Sequence, residues 1–192
     1  MNAFLSLAFI SSLVTAGPPE ASPSPSNWPT VTAAARDYLA APGDATARSL
    51  IRALPNEQGP PPRDVAELLW SLLDTIERRG RAGDFTAIQL GFRLQDFADA
   101  AFSEDLAVCL GSIATARPTA FLHTLASVRP TRDPASDPLE VVRWFDPDLT
   151  EPQRASELQK RLNALRSVQD PRLRSLRDAC IARLTAVSAN DR

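Results

Sequence analysis

A single histidine, His123, limits the catalytic chemistry available to this sequence. Ser-His-Asp and Cys-His mechanisms use an imidazole as general base, so any such site would have to include His123. The residue lies near Leu122 and Leu125 in a helical apolar pattern, which is typical of a histidine at the edge of a core or on the surface. A zinc site would need His123 with both cysteines or with carboxylates, and the spacing supports neither set.

Paired carboxylates are the next chemistry to consider, because glycoside cleavage uses two of them. Glu67, Asp74 and Glu77 lie along one predicted helix at spacings of seven and three residues. An outward acidic helix face explains this spacing without a reaction. A second acidic cluster, at residues 146–151, lacks the glycine and the ligand spacing of a calcium loop, so helix capping explains it better.

The remaining motif classes are not represented. The sequence has no glycine-rich phosphate loop, no Gly-x-Ser-x-Gly motif and no aromatic-basic platform for nucleic acid. Its 21 Lys and Arg residues nearly balance 23 Asp and Glu residues, which argues against a general nucleic-acid binder. We therefore predict no catalytic residue, no metal, no cofactor and no nucleic-acid partner.

The two cysteines, Cys109 and Cys180, both lie on predicted inner helix faces. In an exported protein two cysteines often pair, and this bridge would close a loop of 71 residues. The alternative is two buried thiols that act as small apolar side chains. Pairing is the preferred interpretation if the chain is exported. Neither cysteine is part of a Cys-x-x-Cys motif, so redox catalysis is not expected.

The C-terminal part of the chain is locally basic. Residues 150–192 contain nine Arg and Lys residues and five Asp and Glu residues. Arg172, Arg174 and Arg177 lie close together there and indicate a surface for an acidic partner. A solvated outer helix face is the alternative interpretation of the same cluster.

Residues 1–16 are predicted to be a signal peptide. An apolar run of about twelve residues, 3–14, is shorter than the roughly 20 residues of a membrane-spanning helix. Val14 and Ala16 then provide the small side chains that signal peptidase requires. We therefore expect an exported protein, periplasmic or secreted, with no stable membrane span after cleavage. Residues 17–29 are predicted to be a Pro/Ser-rich linker, and residues 30–192 a single domain.

Abundant alanine, only seven glycines and helical apolar spacing indicate an all-α domain of about eight or nine helices. Residues 84–127 form its apolar centre. Asp84 and Ser103 are predicted helix N-caps, and residues 63–79 one long helix. Residues 139–145 are predicted as a short helix. A capping box at residues 150–153 and a turn at Asp170 define a final helical hairpin.

An internal similarity links two of these helices. Residues 43–54 and 83–94 match at six of twelve positions with an offset of 40 residues. A helix pair that repeats at this length resembles HEAT-type repeats, whose units stack and bury a shared core. The resemblance implies stacked antiparallel helix pairs. Two ordinary Gly-Asp helix starts are the alternative explanation.

The function follows only by exclusion. A helical stack without a recognisable catalytic set is predicted to bind another protein, as an adaptor, an inhibitor or an immunity-type factor. One alternative is a carrier of an apolar small molecule in a cavity between helices. Another is an enzyme of unrecognised type, which would need polar side chains such as Glu67 or Asp148 inside a cleft.

Overall fold

The computed structural model describes residues 27–56, 60–128 and 139–190, with side chains up to residue 186. Every regular element in these ranges is helical, so the all-α prediction is confirmed. None of the helices in this part of the chain is long and apolar enough to cross a membrane. The predicted signal peptide and most of the predicted linker lie outside the described residues, and export stays a prediction.

Short turns separate the helices. The 3₁₀ turns are Gln95–Phe97, Glu140–Arg143 and Pro171–Leu173. The α-helices in chain order are α1 (Trp28–Ala40), α2 (Asp44–Ala53), α3 (Arg63–Trp70), α4 (Leu73–Ala82), α5 (Phe85–Leu94), α6 (Ala100–Ala116), α7 (Pro118–Ser127), α8 (Glu151–Arg166) and α9 (Arg174–Asn190).

Helices that are consecutive in sequence pack together as pairs. The pairs are α1 with α2, α4 with α5, α6 with α7 and α8 with α9, and α3 packs on α1. Each pair also packs on the next pair through α2 and α5, α4 and α6, or α6 and α8. Helix α6 contacts α4, α5, α7 and α8, which makes it the centre of the fold. A superhelical stack of the HEAT kind stays a prediction.

The apolar side chains of these pairs form one continuous core. Its largest fully buried side chains are Tyr38, Phe97 and Phe121. Phe121 on α7 meets Phe92 on α5 with ring centroids 5.5 Å apart. Burial of such rings supplies much of the stability of a small domain.

The predicted helix over residues 63–79 is divided into α3 and α4 at Ser71 and Leu72. The Ser71 hydroxyl donates to the Leu68 carbonyl at 2.6 Å. The Leu72 amide donates to the Leu69 carbonyl instead, as in a 3₁₀ turn. A serine hydroxyl that competes for a backbone carbonyl is a known cause of such breaks.

The predicted start of α6 at Ser103 is wrong. The helix begins at Ala100, and the Asp99 carboxylate accepts a hydrogen bond from the Phe102 amide at 2.9 Å. Asp99 is as good a cap as serine, and the earlier start also buries Phe102 in the core. Asp105 therefore lies in the second turn of α6 and not in its first.

Two further boundaries differ from the prediction. Helix α1 begins at Trp28, inside the predicted linker, because the Trp28 ring packs edge-on against Phe97 with centroids 5.8 Å apart. The predicted short helix at residues 139–145 is only the 3₁₀ turn Glu140–Arg143, which packs on α6 and α9.

The predicted disulfide is not formed, since no bond joins Cys109 to Cys180. Both side chains are buried, but they lie at different helix interfaces. The Cys109 Sγ faces α4, 3.9 Å from the Leu73 carbonyl oxygen, whereas Cys180 lies on α9, which packs mainly on α8 and on the turn Glu140–Arg143. Burial, with smaller contributions from Glu77 and Asp74, raises the pKa of Cys109, so this thiol stays neutral and acts as a small apolar residue.

Arginine side chains connect neighbouring pairs by donating to backbone carbonyls. Arg79 on α4 donates to the Pro42 carbonyl at 2.9 Å, just beyond the end of α1. Arg117 donates to the Arg81 carbonyl, in the last turn of α4, also at 2.9 Å. Carbonyls at helix C-termini lack a partner within the helix, so a cationic donor from the next pair is stabilising.

The most buried of these cations is Arg161 on α8, of which 4% is exposed. Its guanidinium donates to the carbonyls of Val142 and Trp144 at 2.7 and 2.8 Å. It also donates to the Thr115 hydroxyl on α6 at 3.0 Å and lies 4.1 Å above the Phe145 ring. Desolvation lowers the pKa of Arg161 to about 10, so the side chain remains charged at neutral pH.

Gly111 on α6 provides the space for this guanidinium. A Cβ atom at Gly111 would lie 2.7 Å from Nη1 and 2.9 Å from Cζ of Arg161. The guanidinium cannot move away easily, because three hydrogen bonds hold it in a buried position. Glycine at this point of a helix interior is therefore required by the contact with α8.

The contact between Gly111 and Arg161 predicts that Gly111→Ala has opposite effects on the free energy of unfolding in the wild type and in Arg161→Ala. Gly111→Ala should lower the free energy of unfolding by about 1 kcal/mol, because overpacking of about 2 kcal/mol exceeds the roughly 1 kcal/mol that alanine adds to helix stability. In an Arg161→Ala background the same substitution should raise it by about 1 kcal/mol. Urea unfolding followed by circular dichroism measures both values. The same sign in both backgrounds would contradict the assigned contact.

Candidate functional site

His123 lies on α7 and contacts the turn between α8 and α9. Its Nε2 atom is 3.5 Å from an oxygen of Asp170, in the turn between α8 and α9. Its ring also meets the exposed ring of Phe85, with centroids 6.4 Å apart. In the part of the chain that the structure describes, no group of three or more His, Cys, Asp or Glu side chains is arranged to hold a metal ion. His123 therefore connects α7 to a turn.

An open cleft of about 450 Å³ lies beside Phe85. Its ionic groups are paired with each other or with close neighbours. Arg79 Nε donates to Asp84 at 2.7 Å, and Asp44 pairs with Arg48 at 3.3 Å. Asp84 also caps α5, as predicted, and accepts from two backbone amides at 2.9 and 3.1 Å. The polar groups of this cleft thus stabilise two adjacent turns. The lining residues are Asp44, Arg79, Ala82, Gly83, Asp84, Phe85 and Thr86.

The internal similarity predicted from the sequence maps onto these two turns, but the backbones differ. Gly83 adopts a φ of +97°, and Asp84 caps the following helix. Gly43 is extended, and Asp44 is already inside α2. The two segments occupy corresponding places in successive pairs without sharing one turn geometry.

The predicted arginine surface is partly used inside the fold. Arg172 makes two hydrogen bonds to Asp170, at 3.2 and 3.1 Å, and holds the pKa of this carboxyl below its ordinary value. Arg177 donates to the Val168 carbonyl at 2.9 Å and closes the same turn. Arg174 is exposed and makes no hydrogen bond or ion pair with the described residues. An acidic partner at Arg172, Arg174 and Arg177 stays a prediction.

The carboxylates that an enzyme would need are on the surface. Glu67 is 67% exposed and pairs with Arg63 at 3.0 Å. Asp148 is exposed, in the turn before α8. Glu77 accepts from the Ser112 hydroxyl at 2.6 Å, between α4 and α6.

The exposed ring of Trp70 is held in a fixed orientation. It lies at the end of α3, with 38% of the residue exposed. Its indole Nε1–H donates to Oδ2 of Asp105 on α6 at 3.0 Å. On one side the ring packs against Phe102 at a centroid distance of 5.7 Å, tilted by 34°. An exposed side chain with large apolar area is thus ordered before anything binds to it.

Helices α4 and α6 run side by side in the same direction beneath this ring. Contacts that join Trp70 to Asp105, Leu73 to Cys109 and Glu77 to Ser112 occur at sequence separations of 35 to 36 residues. Trp70 lies at one end of this surface. The constant separation sets Asp105 opposite Trp70 and Ser112 opposite Glu77.

The segments that meet at Trp70 contain only acidic charges. Residues 64–77 hold four Asp and Glu residues, residues 99–116 hold three, and neither segment has Lys or Arg. We define the Trp70 face by the indole at the end of α3 and by four exposed carboxylates on α3, α4 and α6. Its members are Glu67, Trp70, Asp74, Glu104 and Asp105.

Most of these carboxylates lack a counterion. Among the described residues, Asp74, Glu104 and Asp105 have no cation within 4 Å, and Glu67 alone pairs with one. Asp105 accepts the indole hydrogen bond through Oδ2, and no described donor bonds to its Oδ1. The Trp70 face thus differs from the cleft beside Phe85, where the ionic groups are already paired.

Comparison of the chain with protein families, curated proteins and solved structures finds no match. The resemblance to HEAT-type repeats therefore stays a prediction.

The sequence interpretation did not identify this face. It assigned no functional role to Trp70, Glu104 or Asp105. The contact between Trp70 and Asp105 spans 35 residues and has no local signal. The lack of basic residues in two segments of an otherwise balanced chain was the available clue.

The lowered pKa of Asp84 predicts how the stability of the fold depends on pH. Desolvation raises the pKa of Asp84, but hydrogen bonds from the Ala87 amide and Arg79 lower it by more, so its pKa lies below the ordinary value. Its contribution to stability is therefore complete above the unfolded-state pKa of about 4 and is lost as the pH falls through the folded-state value. Asp84→Asn keeps a capping side chain, so its free energy of unfolding should fall less than that of the wild type between about pH 5 and pH 2.

Urea unfolding at several pH values measures this dependence. Asp44→Asn is the matched control, since Asp44 lines the same cleft, is more than half exposed and does not contact Arg79. Equal acid losses in the wild type and Asp84→Asn would contradict the assignment.

Proposed function

We propose that the protein is an exported helical module that binds another protein through the Trp70 face. The observation that carries this proposal is the exposed indole of Trp70, which Asp105 and Phe102 hold in one orientation. Binding orders side chains, and a ring that is already fixed avoids most of that entropy cost. Tryptophan is for this reason enriched among the residues that dominate interface energies.

The other exposed aromatic side chains support the choice of Trp70. Phe85 is more exposed, but it lies over charged groups that pair with one another to stabilise turns. Trp144 follows the 3₁₀ turn that Arg161 connects to α8. Among the three, only Trp70 has its polar ring atom bonded to a carboxylate that retains an unused oxygen. This combination suits the recognition of a partner side chain.

The two alternative functions have less support. A carrier of an apolar molecule needs an enclosed apolar cavity, whereas the cleft beside Phe85 is open to solvent and contains the ion pair of Arg79 with Asp84. An enzyme built on Glu67 or Asp148 would need these carboxylates inside a cleft, and both are exposed. An adaptor, an inhibitor and an immunity-type factor all remain within the proposed class.

A photo-cross-linker placed on the Trp70 face tests the proposal. Ala101 is exposed on α6, one helical turn before Asp105, and p-benzoylphenylalanine at this position should cross-link a different protein in cells that produce the chain. Trp70→Ala should reduce the yield at least fivefold, since loss of a tryptophan hot spot costs about 2 kcal/mol. Mass spectrometry of the cross-linked product identifies the partner.

Ala186 provides the matched control, because it is an exposed alanine on α9, far from α3 in the order of packed pairs. The same probe at Ala186 should not capture the same partner. Equal capture from both positions, or capture that Trp70→Ala leaves unchanged, would contradict docking at the Trp70 face.

A further inference from the structure

We infer that the segment bound at the Trp70 face is basic and places an arginine on the indole ring of Trp70. The inference rests on the proposed function and specifies the chemistry of the partner. It follows from the exposed ring, from the unpaired carboxylates around it and from the unused oxygen of Asp105.

The charge of the face selects a cationic partner. The two segments that meet there carry seven acidic residues and no basic one, so a partner brings the first cation to the three carboxylates that lack a counterion. Asp74 lies on α4, which packs on α6, and its charge contributes to the raised pKa of Cys109 on that helix. Complementary charge also accelerates the encounter and excludes acidic competitors.

The indole ring favours arginine over lysine as the cation. An aromatic face attracts cations, and the planar guanidinium stacks on it more readily than the compact, strongly hydrated ammonium of lysine. While stacked, the guanidinium can donate at its edge to a carboxylate. Asp105 fits this role, because Oδ2 fixes the ring and Oδ1 accepts no hydrogen bond from the described residues.

Synthetic decapeptides test this chemistry on the full chain. Fluorescently labelled deca-arginine, deca-lysine and a Gly/Ser decamer are titrated with protein at low salt, and anisotropy reports binding. Deca-arginine should bind about fivefold more tightly than deca-lysine, the size of a cation–π contact at a partly exposed site. The Gly/Ser peptide should not bind. Equal binding of deca-arginine and the Gly/Ser peptide would overturn the inference.

Three substitutions separate the contribution of the indole ring from that of the carboxylate charge. Trp70→Ala should weaken deca-arginine binding about fivefold and leave no preference over deca-lysine. Trp70→Phe keeps an aromatic face and packing volume, so it should retain part of the preference if the alanine variant folds poorly. Asp105→Asn keeps an oxygen for the indole hydrogen bond but should weaken both peptides and reduce the dependence of binding on salt.

Matched controls lie elsewhere on the surface. Phe85→Ala removes an exposed aromatic ring, and Asp178→Asn removes an exposed carboxylate from the basic hairpin. Neither should change the affinity for deca-arginine. Binding that these controls weaken as much as Trp70→Ala and Asp105→Asn do would place the cation elsewhere and overturn the inference. A partner cross-linked at Ala101, together with no deca-arginine binding, would overturn the inference and leave the proposed function standing.

Discussion

The fold depends on the buried guanidinium of Arg161. It joins α8 to α6 and to the carbonyls of Val142 and Trp144, in a space that only a glycine at position 111 leaves open. A stack of helix pairs must find donors for the carbonyls at helix ends and in the connections, because water does not reach all of them. Arg79 supplies one such donor between the first two pairs. Buried or half-buried arginines thus connect neighbouring helix pairs at these two boundaries.

This requirement also explains how charge is divided over the surface. Several arginines that would otherwise be available to a partner are used inside the fold, and Arg172 and Arg177 close the last turn. Of the carboxylates of the Trp70 face, only Glu67 pairs with a cation among the described residues. The proposed binding surface is therefore distinguished less by its residue types than by the polar groups that the fold leaves unused.

Local patterns in the sequence predicted most of the helices. Asp84 as a cap and the turn at Asp170 were found because capping and turn formation involve neighbouring residues. The break at Ser71 was missed, since a serine hydroxyl competes with a backbone that is otherwise strongly helical. The predicted disulfide was wrong because a pattern that places a cysteine on an inner helix face does not indicate which other helix packs against that face. The contact of Trp70 with α6 was missed for the same reason.

The most direct test of the central claim is a nuclear magnetic resonance titration of the indole N–H signals. The chain has three tryptophans, and of these Trp28 packs on Phe97 and Trp144 lies by Arg161, so each signal reports a separate place. On addition of deca-arginine the Trp70 signal should shift in a saturable manner, while the other two stay in place. A shift confined to Trp28 or Trp144, or equal shifts of all three, would contradict the Trp70 face as the docking surface.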